Sequence, residues 1–166
     1  EYGKAINDLS QYIKLKPKSA DAYFERANMR RAVDSTKHLI ADYTKVLQLE
    51  PERKEAYLKR AAVKNELGMP DSALTDYNSY IKARPADIKA YLMRADAYTK
   101  MGKYNKALGD YNRVIKLKPE YAKAYYERAK LRYNFLNQTN AACKDWKKAA
   151  DLGSTKAKLW YSEECE

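Results

Sequence analysis

Four prolines, Pro17, Pro51, Pro85 and Pro119, stand 34 residues apart in this chain. A fixed period of that length marks a stacked array of helical units, none of which can bury its apolar face alone. The spacing therefore restricts the fold before any single residue does. Composition agrees: 33% charged and 45% apolar residues with only 5 Gly are enough to bury a core and too apolar for a disordered chain.

Between the prolines two words recur. The first is an aromatic followed by Arg-Ala: Tyr23–Arg26–Ala27, Tyr57–Arg60–Ala61, Tyr91–Arg94–Ala95 and Tyr125–Arg128–Ala129. The second lies about 16 residues after each Arg and joins Asp to an aromatic: Asp42–Tyr43, Asp76–Tyr77, Asp110–Tyr111 and Asp145–Trp146, with Asp8–Leu9 as an earlier copy. A small residue stands three before the Asp (Ala5, Ala73, Ala107, Ala142), except that Leu39 fills that slot once. Apolar residues recur at helical spacing, as in Tyr104, Ala107, Leu108, Tyr111, Val114 and Ile115. Each period thus predicts two amphipathic helices. The first ends near Gly68 or Gly102, residues able to take a left-handed cap. The second stops two or three residues before the proline, which cannot continue it. Pro70 is out of phase and suits the first turn of a helix, where no backbone donor is missed.

These words resemble the tetratricopeptide repeat, with its small residues at two fixed slots, its aromatics and its closing proline. The resemblance covers residues 1–153 and implies an all-α, right-handed superhelical solenoid of antiparallel helix pairs. On that reading 1–17 is the second helix of a truncated first repeat. Repeats then span 20–51, 54–85, 88–119 and 122–153, and a capping helix occupies 154–166, centred on Thr155 to Glu164. One extra residue near Asn137–Asn140 shifts Asp145 out of register. Pentatricopeptide repeats, which read RNA, lack this set of residues. The chain opens mid-repeat at Glu1, as expected of a piece of a longer protein. The missing partner helix is expected to leave Ile6, Leu9 and Ile13 to be covered by upstream sequence or by self-association of another chain.

Arg and Asp would suggest catalysis if they occurred once. They occur in every unit, so Arg26, Asp42, Arg60, Asp76, Arg94, Asp110, Arg128 and Asp145 read as structural ion pairs. Helix lengths place Arg94 level with Asp110 and Asp110 level with Arg128, which leaves pairing within or between repeats open. The only His, His38, sits beside a helix start, where a solvated or capping role is expected. No phosphate loop, nucleophile elbow, metal set or cofactor motif occurs, and an enzyme is not expected. Asn137-Gln138-Thr139 is a formal glycosylation sequon, meaningful only in a eukaryotic secreted protein.

The family resemblance implies binding of a partner protein or peptide along a concave row of first-helix residues. Here that row is Phe24, Leu58, Leu92 and Tyr126, flanked by Asn28, Ala62, Asp96 and Lys130, then by Arg31, Asn65, Thr99 and Tyr133. Phe24, Lys59 and Met93 replace parts of the set that clamps a peptide carboxylate in some members of that family. The alternatives are a polyanion site, or a purely structural spacer in a larger envelope protein. Net charge is +11, and residues 52–119 hold 15 Lys/Arg against 8 Asp/Glu. Lys14, Lys16, Lys82, Arg84, Lys116 and Lys118, however, recur where cations complement a helix dipole, so nucleic acid is not the expected partner. No apolar run reaches the roughly 18 residues of a membrane span.

Cys143 and Cys165 fall near one level if the last helices form a hairpin about Gly153. A disulfide and two buried thiols are both compatible with that placement. The stretch from Ala142 to Gly153 resembles the closing repeat of bacterial envelope tetratricopeptide proteins. That resemblance implies the bridge and an oxidising compartment such as the periplasm.

Overall fold

The structure is a computed structural model that describes residues 1–33 and 36–166. The described residues form ten α-helices. They are α1 (Tyr2–Leu15), α2 (Ala20–Ala32), α3 (Leu39–Leu49), α4 (Lys54–Glu66), α5 (Pro70–Ala83), α6 (Ile88–Lys100), α7 (Tyr104–Leu117), α8 (Ala122–Leu136), α9 (Thr139–Asp151) and α10 (Thr155–Glu164). A single 3-10 turn, Thr36–His38, leads into α3. Helices pair in sequence as antiparallel hairpins, α2 with α3, α4 with α5, α6 with α7 and α8 with α9. The chain divides into two compact units, residues 1–84 and 85–166.

Local chemistry sets the ends. Helices α1, α3, α5 and α7 each stop two residues short of the periodic proline. Lys14, Lys82 and Lys116 lie in last turns, while Lys16, Arg84 and Lys118 are the C-caps that follow. These cations thus sit where the helix dipole favours them. Ser19, Asp87 and Ser154 each accept a backbone N–H at a helix start. Pro70 occupies the first turn of α5. His38 is the exposed N-cap residue of α3 and makes no side-chain cap bond.

Gly68, Gly102 and Gly153 follow α4, α6 and α9 with φ of +74°, +68° and +91°. After α8 the left-handed place goes to Asn137, at φ +53°. This corner absorbs the extra residue: α8 runs for 15 residues where α2, α4 and α6 run for 13.

In the first unit the core is Ala27, Leu39, Tyr43, Val46, Leu47, Ala56 and Val63, edged by Tyr23, Phe24, Ile40 and Tyr57. Leu39, in the small-residue slot, is fully buried. The α1 face is better covered than the sequence suggests. α1 packs on α2, which leaves Ile13 buried and Ile6 and Leu9 half-buried. Tyr2, Tyr12 and Leu15 are the large apolar residues that α1 leaves exposed.

The second unit has clusters of its own. Ala95, Ala107, Tyr111 and Leu131 form one; Ala129, Ala142, Trp146, Ala149 and Ala157 form another. Ala95 and Ala129, like Ala61 in the first unit, have no exposed surface, so helix backbones approach closely there.

Candidate functional site

The repeated Arg and Asp meet within each helix pair. Arg26 donates Nε to Asp42 at 3.1 Å and Nη2 at 2.6 Å; Arg60 reaches Asp76 at 2.8 and 2.7 Å. Arg94 reaches Asp110 at 2.9 and 2.6 Å, and Arg128 reaches Asp145 at 2.8 and 2.6 Å. All four carboxylates are buried. The free Nη1 reaches backward: Arg26 to Ser10, Arg60 to Thr44 and Arg128 to Asn112, each on the helix before. The same side chain therefore closes its own hairpin and ties it to the preceding one. A guanidinium fork supplies donors for both jobs, which an ammonium could not arrange. Each Arg also lies over the Tyr three residues before it, at 5.5 to 6.0 Å.

A second cation joins three of the four carboxylates: Arg30 on Asp42, Lys64 on Asp76 and Arg132 on Asp145. At the equivalent place beside Asp110 the chain carries Tyr98, whose ring lies 5.7 Å from the Arg94 guanidinium. Among the described residues Asp110 accepts hydrogen bonds from Arg94 alone. Burial, outweighing Arg94, raises the Asp110 carboxyl above the usual carboxylate value. The bond to Asp110 in turn raises the Arg94 guanidinium, which stays protonated. Each carboxylate is thus held by one or two cations within its own helix pair.

In the first unit Phe24 and Leu58 are half-buried. Phe24 is not open apolar surface. The Arg53 guanidinium covers its face at 4.2 Å, Lys59 lies 5.6 Å away, and Tyr43 meets its edge at 5.9 Å. Asn28 accepts from the Tyr43 hydroxyl at 3.4 Å, and burial pushes that phenol up to about 12. Arg31 and Glu66 form a two-bond pair between α2 and α4. Ala62 is half-buried and Asn65 is buried.

In the second unit, residues Asp96 and Thr99 of α6 and Glu127, Lys130, Asn134 and Phe135 of α8 surround a cavity of about 240 Å³. Leu131 and Tyr111 line it from the core side. Three residues expected in the groove from the sequence are therefore brought together: Asp96, Thr99 and Lys130. Leu92 and Tyr126 lie half-buried, with the Lys130 ammonium 5.6 Å from the Tyr126 ring. Burial raises the Tyr111 hydroxyl, and Glu127 and Asp96 add to the rise. Phe135 is exposed and stacks on Tyr104 at 4.6 Å.

Glu127, Asn134 and Phe135 were not among the residues expected from the sequence. Glu127 and Asn134 lie one turn either side of Lys130, so extending that helical face would have found them.

Tyr133 is half-exposed and does not line this cavity. Its hydroxyl donates to Glu164, and its ring lies 5.3 Å from Trp146 and 6.1 Å from Trp160. α10 packs on α9 and puts Trp160 against Trp146 at 5.2 Å. Cys143 and Cys165 form a disulfide across this contact, with S–S 2.01 Å. Among the described residues no helix is long and apolar enough to cross a membrane.

Residues 95–135 match a family model described as TPR repeat, and residues 55–86 match one described as Tetratricopeptide repeat. No curated protein matches the sequence. Among solved structures, MamA (41-end) from Desulfovibrio magneticus RS-1 is similar with a TM-score of 0.85 at 18% identity, over 91% of this chain and 85% of that one. YrrB, described as a TPR protein with an unusual peptide-binding site, gives 0.87 at 20% identity, over 98% and 84%. PilW, a type IV pilus biogenesis factor, gives 0.74 at 18% identity, over 91% and 70%. At such identities the likeness carries the fold alone, the all-α class of TPR-like superhelices. Tetratricopeptide repeats commonly mediate protein–protein interactions and are typically non-catalytic. The family models, the paired helices and the recurrent residues agree that this chain carries tetratricopeptide repeats, matched over residues 55–86 and 95–135.

Proposed function

We propose that the chain is a non-catalytic interaction module that holds a peptide or a helix of a partner protein against its first helices. One observation carries this reading: the cavity of about 240 Å³ that Asp96, Thr99 and Lys130 line on α6 and α8. Half-buried apolar residues in the same helices, Leu92 and Tyr126, offer burial, and the charged residues around them offer direction. In the first unit Leu58, Asn28 and Ala62 are the corresponding contacts, with Phe24 reached only past Arg53. The four copies of one slot, Asn28, Ala62, Asp96 and Lys130, differ in chemistry while the Arg–Asp scaffold repeats. Selectivity therefore belongs to the residues that vary.

The test is a displayed peptide library selected on the immobilised oxidised chain, followed by affinities for Leu92→Ala and for Asp96→Ala/Lys130→Ala. Far-ultraviolet circular dichroism would confirm that the variants remain folded. Selected peptides should lose about tenfold in affinity with Leu92→Ala, as a hot-spot contact does. Unchanged affinity in both variants would move the site off these helices.

A further inference from the structure

We propose that the Cys143–Cys165 disulfide is a redox latch that holds α10 against Trp146 and against the last groove position, Tyr133. Its consequence for binding rests on the groove reading above; its mechanism rests on the packing of α10 alone.

α10 buries little of its own surface. It has ten residues, of which Ala157 alone is buried, whereas α9 buries Ala142, Asp145, Trp146 and Ala149. A helix that short is marginal in water without a surface to dock on. Besides the disulfide, α10 makes contacts through Ala157, the Trp146–Trp160 stack, the Tyr133–Trp160 edge contact, Lys147 near the Tyr161 ring and the Tyr133–Glu164 hydrogen bond. The disulfide joins the residue just after α10 to α9, across 22 positions of sequence. Closing a loop of that size suppresses opening on the order of 100-fold. Cys143 and Cys165 are each half-buried rather than enclosed, so a thiol can reach them.

The switching reaction is thiol–disulfide exchange with a dithiol, protein or small molecule. Its thiolate attacks one sulfur of the pair and displaces the other as a thiolate, which takes up a proton. The second thiol of the reagent, deprotonating, then attacks the mixed disulfide and releases the remaining cysteine thiolate, which is protonated in turn. Two electrons and two protons pass from the dithiol to the cysteines, and the reagent leaves as a disulfide. With α10 undocked, Tyr133, already half-exposed, is released from Glu164 and Trp160, and the Trp146 face that Trp160 covers opens.

The two Trp of the chain are the two that stack here, so near-ultraviolet circular dichroism reports this contact. The intact protein would be compared in its oxidised form, after reduction with dithiothreitol, and as Cys143→Ser/Cys165→Ser, together with hydrogen exchange read by mass spectrometry. Both reduced forms should lose the tryptophan signal and exchange α10 amides about tenfold faster or more, while α6 and α7 amides keep their rates. Two results would overturn the latch. One is α10 exchange unchanged in both reduced forms; the other is α6 to α9 accelerating as much as α10, which would make the bridge a general staple. Peptide affinity of the oxidised chain tests the groove reading separately, so either idea can fail while the other stands.

Discussion

Arg94 and Asp110 make the same two-bond contact as the other three pairs, yet Tyr98 takes the place of a second cation. That single difference makes this pair the most sensitive of the four. Arg94→Ala leaves a buried carboxylate with no cation and should cost roughly 3–5 kcal/mol. Arg26→Ala leaves Arg30 on Asp42 and should cost less, about 1–3 kcal/mol. Urea unfolding of the two variants checks the order; equal losses would remove the role given to the second cation. The sign of the pH effect at Asp110 also follows. Its folded pKa is raised above 3.8, so in the window just above that value the folded chain holds this proton more tightly than the unfolded chain. Ionising Asp110 as pH rises through that window therefore costs stability. Wild type should lose ground to Asp110→Asn as pH rises above 3.8, with other titrations cancelling in the difference. A wild type that gains ground would overturn this.

Helices were the most legible level, because each boundary has a local cause. Proline cannot continue a helix, glycine takes a positive φ without strain, and cations suit last turns. Pairing followed from the alanines. Ala95 has no exposed surface and stands where α6 meets its neighbours, so Ala95→Leu should cost about 1–3 kcal/mol by overpacking. Thermal unfolding would read this; a variant as stable as wild type would mean that the slot has room to spare. Less legible was what one helix does to another's side chains. Arg53 covers Phe24 from outside the repeated positions, and α10 sets Trp160 and Glu164 against Tyr133. Such contacts depend on residues distant in sequence and on side-chain direction, which periodicity does not report.

For the molecule as a whole, the +11 charge is distributed in a way that serves the helices first. Much of it closes last turns or neutralises the buried aspartates, so net charge alone does not select a partner. Each compact unit carries its own core, and the second adds the bridge that closes its end. The 34-residue period was sufficient to establish the class of fold and the helix pairing, because these depend on residues close in sequence and repeated in kind. Tertiary structure decided the rest. It set pairing within hairpins with a reach backward to the preceding one, the burial of Ile13, the cavity at Asp96, Thr99 and Lys130, and the joining of Cys143 to Cys165. All of these depend on how side chains from different helices meet in space, and a repeat pattern leaves that geometry open.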